Sequence, residues 1–308
     1  MHKQTLQHLT EHFGIERMLE FSENEHGAIK ATVTTATCTA EIYMQGAHVA
    51  QWQPVKAEHP GLFLSERSAF EPGKAIRGGV PLIFPWFGTH KDAAKSSIKF
   101  PAHGFARTSN DWLLVAAGRS KDDFMLTFEL AGNEQSRQFG YDNFKLIYKV
   151  AVGDELDLEL CFQNHSTSTV EIEEAFHTYL AVSDAEQIAL SGLQDTEYLD
   201  KTDGFKRKTQ TEKILQLTGE IDRPYLNTET HVEIEDPIWK RKIEIYKMNS
   251  RSTVIWNPWS EQTSKLTDMR PDGWKNMICV ETANLGENAI AVPPGTHHTM
   301  HACVRMRT

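Results

Sequence analysis

Residues 123 to 164 hold three consecutive stretches in which apolar and polar side chains alternate, and few folds are open to a chain with that period. "DFMLTFELAG" alternates Leu126, Phe128 and Leu130 with polar residues. "NFKLIYKVAVG" does so with Phe144, Leu146, Tyr148, Val150 and Val152, and "DELDLELCFQN" with Leu156, Leu158, Leu160 and Phe162. Successive side chains of a strand point to opposite faces, so a period of two gathers the apolar residues of each stretch on one side. Gly153-Asp154, between the second stretch and the third, supplies a hairpin signal. Comparable runs recur to the C-terminus, as in "KRKIEIYKM", "STVIWN", "MICVETAN" and "MHACVRM". The pattern predicts an all-β chain, a large antiparallel β-sandwich. A short helix is expected within residues 1–20, where Leu6, Leu9 and Phe13 fall on one helical face. No Ser- or Gly-rich linker, low-complexity run or fixed repeat divides the 308 residues, so one domain over 1–308 is expected. The polar stretch from about Gly192 to Ile214 reads as a long loop on the sandwich.

The 32 Lys and Arg are outnumbered by 42 Asp and Glu, for a net charge of -10. Such a surface repels a nucleic-acid backbone or an anionic membrane, so neither is expected as a partner. The first residues contain no seven-residue apolar run, and about twenty apolar residues occur together nowhere, which leaves no sign of export or anchoring. Cys38, Cys161, Cys279 and Cys303 form no CxxC pair and read as reduced, mostly buried thiols. A cytoplasmic protein is expected.

"GKAIRGGVPLIFPWFG", residues 73–88, suits no regular element. Pro81 and Pro85 each remove an amide donor, which disfavours a helix or a central strand, and Phe84, Trp86 and Phe87 demand burial. A rigid apolar loop is expected, and a buried guanidinium such as that of Arg77 needs an anionic partner, either a carboxylate of the protein or a ligand. Three more stretches embed charge in apolar sequence: "PAHGFART" with His103 and Arg107, "EEAFHTYLAV" with His177, and "MICVETAN" with Glu281. Singly, each residue suits a buried ion pair or a hydrogen-bonded core. Together they offer two arginines for an anion, and an imidazole and a carboxylate for moving protons. His297, His298 and His301 cluster near the C-terminus, but without an acidic companion nearby they read as solvent-exposed rather than as metal ligands.

"RGGVPLIFPWFG", "PAHGFAR", "FHTYL", "DRPY", "VIWNPW" and "CVETA", in that order over residues 77–283, resemble the D-hexose-6-phosphate mutarotases, also called glucose-6-phosphate 1-epimerases. The resemblance implies the galactose-mutarotase-like fold and interconversion of the α and β anomers of hexose 6-phosphates, with no metal and no organic cofactor. It implies that His177 and Glu281 are catalytic, that Arg77 and Arg107 hold phosphate beside His103, and that Asp222 of "DRPY" binds sugar hydroxyls. Some members carry Gln where this chain has Ala102.

The residue types suit that chemistry. Anomerisation removes the proton of the C1 hydroxyl while the ring oxygen gains one; the opened sugar rotates about C1–C2 and recloses. One base and one acid suffice. With ordinary pKa values of about 4.3 and 6.5, Glu281 is expected to start as carboxylate and base, and His177 to be available as imidazolium and acid. The glycines beside Arg77 are expected to let a phosphate approach it. A monomer acting on a small-molecule hexose phosphate is expected. The alternatives are an aldose 1-epimerase on unphosphorylated sugar, with structural arginines, a non-catalytic sugar-phosphate binding module, and a metal-dependent enzyme built on the terminal histidines.

Overall fold

The computed structural model describes residues 4–121 and 123–307. Two eight-stranded sheets carry the architecture, joined by a four-stranded sheet from residues 19–54 and a two-stranded one. The three alternating stretches form the strands Asp123–Ala131, Phe144–Val152 and Glu155–Asn164, antiparallel neighbours in one eight-stranded sheet with their apolar residues buried. His297–Arg307 and Arg241–Met248 extend that sheet. The inner faces of both large sheets and the four-stranded sheet meet in one core, in which Phe128, Leu158, Leu160, Phe176, Ile255, Ile278 and Met300 are buried together. No helix among the described residues is long and apolar enough to cross a membrane.

The expected N-terminal helix is Leu6–Phe13, capped by Thr5, whose side chain accepts from the His8 amide; Leu9 is fully buried. It lies beside Leu113–Ser120, the last strand of its sheet. There the Gln4 side chain acts as a stand-in for a neighbouring strand: its amide nitrogen donates to the Leu114 carbonyl at 2.9 Å and its oxygen accepts from the Leu114 amide at 2.8 Å.

The other eight-stranded sheet bears on function. Its central strand Met277–Asn284 is buried along its whole length, because one face enters the core while the other is covered by loops and aromatic side chains. It pairs with Ser252–Asn257 on one side and with Glu174–Phe176 and Tyr179–Ala181 on the other. Ile221–Tyr225 follows beyond Ser252–Asn257. The stretch read as a loop from Gly192 to Ile214 instead contains a hairpin at this sheet's edge, Glu197–Asp200 against Lys206–Thr209. Its strands escape detection because they bury little. Cross-strand charge ties them together, Lys208 on Asp200 at 2.8 Å and Arg207 on Glu197 at 3.0 Å, and only Tyr198 of the two strands enters the main core.

Candidate functional site

Cross-strand register gathers the site. The pairings Phe176–Thr282 and Tyr179–Cys279 share one register, which sets His177, in the break between two short strands, opposite Glu281. Val254 flanks Glu281 on its other side, and in the adjacent row Asp222 stands opposite Trp256, Trp256 opposite Cys279, and Cys279 opposite Tyr179. Directly opposed residues point to the same face of a sheet. One face of neighbouring strands therefore presents His177, Glu281, Trp256 and Asp222 to the same space, the side away from the sandwich core. The His177 amide donates to the Pro81 carbonyl at 3.0 Å, tying this break to the proline-rich loop.

That loop closes the site from above. Apart from the two-residue strand Leu82–Ile83 it is irregular, as expected. Gly79, at φ 61°, threads between other segments: its amide donates to the Phe63 carbonyl at 2.7 Å and its carbonyl accepts from the Tyr179 amide at 2.9 Å. A Cβ there would stand 2.2 Å from the Val49 carbonyl oxygen, and one on Gly78 2.4 Å from that of Phe63. Backbone, not ligand, is thus what the glycines admit beside Arg77, a correction to the expectation from sequence. His103 sits at φ 64° next to Gly104, whose own Cβ would collide with the Phe84 carbonyl; this tight pairing folds "PAHGFAR" back over the loop.

Arg77, His103, Arg107, His177, Asp222 and Glu281 all line one cavity of about 210 Å³, together with Phe87, Lys201 and Trp256. A larger groove of about 500 Å³ beside the four-stranded sheet has Glu41 as its one ionisable lining residue, already paired with Lys30 at 2.6 Å, and gathers no comparable chemistry.

The two arginines are not equivalent. Arg77 Nε and Nη2 each donate to Asp268 Oδ2 at 3.1 Å, and its Nη1 donates to the Tyr179 hydroxyl at 3.0 Å. Burial opposes its charge, but Tyr179 and Asp268 more than offset that and hold it protonated. Arg107 has no carboxylate within ion-pair distance among the described residues. Its Nη2 donates to the Ala102 carbonyl at 2.9 Å and its Nε is buried without a partner. Burial therefore lowers its pKa, with Arg77 nearby adding to the effect. A partly buried guanidinium with an unpartnered Nε and no counter-charge is suited to receive an anion.

His177 Nε2 lies 3.3 Å from Glu281 Oε1, with the imidazole stacked on Tyr179 at 4.9 Å between ring centres. His177 Nδ1 and Glu281 Oε2 are buried and unpartnered. Burial, reinforced by Asp222, pushes Glu281 well above the usual carboxylate range, while burial and then His103, Arg107 and Arg77 push His177 well below the usual imidazole range. The pair thus favours neutral imidazole beside neutral carboxyl, not the imidazolium and carboxylate expected from ordinary pKa values. The two forms hold the same number of protons and differ by one transfer across 3.3 Å.

His103 is held neutral, its pKa pushed down to about 3 by burial and then by Arg107, Lys201 and Arg77. The Gly88 amide donates to its Nδ1 at 3.3 Å, which leaves Nε2–H as the ring's donor. Asp222 accepts from Lys201 Nζ at 2.6 Å, and its pKa is raised by burial despite that lysine.

Lys201 and Asp268 escape sequence reading, for they lie in segments without a recognisable motif; Tyr179 and Trp256 stand inside quoted stretches, but only the cross-strand rows give them a place. The terminal histidines do not share a ligand set. His298 Nε2 lies 2.9 Å from Glu174 Oε1 and His301 Nε2 2.9 Å from Asp157 Oδ1, so the acidic companions absent from the nearby sequence arrive from other strands.

An arrangement with a protonable pair at its base and cations on its walls can move protons on a small anionic molecule. Residues 30–303 match the aldose 1-epimerase family. The chain is 36% identical over 248 residues to an Escherichia coli K12 protein named "Putative glucose-6-phosphate 1-epimerase", covering 80% of each. It is 32% identical over 267 residues to a Cenchrus ciliaris protein of the same name, covering 84% of this chain and 78% of that one. Among solved structures, a Salmonella typhimurium protein titled "putative mutarotase" superposes with a TM-score of 0.87 at 30% identity, covering 96% of this chain and 95% of that one. Galactose 1-epimerase from Lactobacillus acidophilus NCFM, at 13% identity and a TM-score of 0.70 over 94% of this chain and 98% of its own, shares the fold.

Proposed function

We propose, from the premise that the chain belongs to the aldose 1-epimerase family and so interconverts the anomers of a sugar, that its substrate is a hexose 6-phosphate. The observation that carries this is Arg107, a partly buried guanidinium at the cavity wall whose Nε is buried without a partner and which has no carboxylate within ion-pair distance among the described residues. A phosphate supplies the missing charge, and its oxygens match a guanidinium fork two at a time. Arg77, anchored by Asp268 and Tyr179, is a fixed second cation rather than a free one. The names of the E. coli and Cenchrus relatives agree with the reading.

In this reading the sugar lies over His177 and Glu281, with the C1 hydroxyl and the ring oxygen facing the pair. Starting from the imidazolium–carboxylate form, which one proton transfer from Glu281 to His177 produces from the neutral pair, Glu281 takes the hydroxyl proton as His177 delivers one to the ring oxygen. C1–C2 rotation and reclosure reverse both transfers, so the pair ends with the proton it started with. Trp256 and Phe87 give the ring apolar faces to lie against, and Asp222 and His103 Nε2–H address its hydroxyls. No step requires a metal or an organic cofactor.

One observation favours an unphosphorylated substrate: Arg77 already has a protein carboxylate. Exchange NMR between anomers separates the two. We expect the protein to accelerate exchange of glucose 6-phosphate or galactose 6-phosphate far more than that of free glucose; equal acceleration of free glucose would replace the phosphate reading with its rival.

A further inference from the structure

Cys279 is a buried thiol in contact range of the proposed proton-transfer pair, and anomerisation makes no use of it. It precedes Glu281 by two residues on the strand Met277–Asn284 and so shares its face. One donor atom each from His177, Cys279 and Glu281 lie within 4.8 Å of one another, and all three residues are buried. His177 Nδ1 and Glu281 Oε2 are buried there without a partner. The residues clustered around the thiol include Met269 and Met277, so its surroundings are soft and apolar.

We propose that His177, Cys279 and Glu281 form a binding site for a single thiophilic divalent cation of the Zn²⁺ class, which inhibits the enzyme reversibly by occupying its proton-transfer groups. The inference rests on the assignment of that pair to catalysis. Thiolate, imidazole and carboxylate together suit zinc, which takes sulfur, nitrogen and oxygen donors tetrahedrally and often keeps its fourth position open. Donors around one such ion stand roughly 3.5 Å apart. His177 and Glu281 are already at 3.3 Å, and the thiol, at most 4.8 Å away, has to close by about 1 Å.

Charge agrees. A dication with one thiolate, one carboxylate and a neutral imidazole sums to zero, and the displaced protons leave through the cavity, so the complex escapes the penalty of burying a bare ion. Arg77, Arg107 and Lys201 line the same cavity and oppose the entry of a dication, so the three donors themselves have to hold it. A second group, Glu155, Asp157 and Cys303 on the outer face of the other sheet, is already engaged: Arg305 holds Glu155 at 2.9 Å and His301 holds Asp157 at 2.9 Å.

The test is a zinc titration of the full-length protein, with binding read by competition against a chromophoric chelator and anomerisation read in parallel. We expect one equivalent to bind as activity falls, added glucose 6-phosphate to compete with it, and EDTA to restore activity fully. Cys279→Ser and Cys279→Ala are each expected to weaken zinc binding and inhibition by about tenfold or more while retaining zinc-free turnover. Cys303→Ser is expected to change neither. Equal inhibition of the parent and both Cys279 variants, or loss of zinc binding in Cys303→Ser instead, would overturn the proposal. Zinc bound through Cys279 by a protein that anomerises no sugar would uphold the metal site and sink the catalytic assignment.

Discussion

His177→Asn and Glu281→Gln are each expected to lower kcat by about 10²-fold or more, the larger effects among the variants considered, because each deletes a proton-transfer group while keeping size and hydrogen-bonding capacity. The two face each other at 3.3 Å across a shared register, and Asn and Gln are near-isosteres that keep a polar contact there, so the strand pairing around them is expected to survive the replacement. Thermal unfolding of both variants near the parent temperature is the control. The double variant is expected to lose little more than the worse single one, since acid and base act as a unit. A folded single variant with near-normal turnover would remove that residue from the mechanism.

Arg107→Ala is expected to reduce kcat/KM for glucose 6-phosphate by roughly tenfold to a hundredfold. Hydrogen bonds to a charged group contribute about 1.5 to 3 kcal/mol, and about 1.4 kcal/mol is a factor of ten. Free glucose is expected to lose much less, so the ratio of the two substrates falls. Lysine at 107 restores it only in part, keeping the charge without the planar fork. Arg77→Ala behaves differently: it strands the partly buried Asp268 and the buried Tyr179 hydroxyl, so it costs stability and slows both substrates. In the proposed reading the two arginines take different roles, where the resemblance in sequence implied the same one for both. An unchanged substrate ratio in Arg107→Ala would return the protein to an unphosphorylated substrate.

The strands of the core were legible because burial on one face writes itself into a period of two, as in Phe144 to Val152. The hairpin at Glu197–Asp200 was not legible, because strands tied by charge pairs, with Tyr198 alone in the main core, carry no such period. Its tip delivers Lys201 to the cavity, so a site residue was lost along with its element. Asp268 stayed hidden because the partner of Arg77 stands 191 residues away on a chain segment without pattern. His177 and Glu281 were nominated by residue type and by likeness, yet their opposition depends on a register that only pairing of the strands can fix. Their protonation departs from ordinary values for a related reason: ordinary pKa values belong to groups in water, and the burial that shifts both groups is invisible at the level of two short motifs.

The Gln4 side chain, bonded on both sides of Leu114, bears on how the protein behaves among copies of itself. An unpaired edge strand is a template for another chain's backbone, and here one amide occupies the donor and acceptor that such a chain would seek first. Gln4→Ala leaves the fold intact but uncovers that step of the ladder. Concentration-dependent self-association of the variant, absent from the parent and read by light scattering, is the expected sign; equal scattering would mean that the helix Leu6–Phe13 alone is enough to keep the edge solitary.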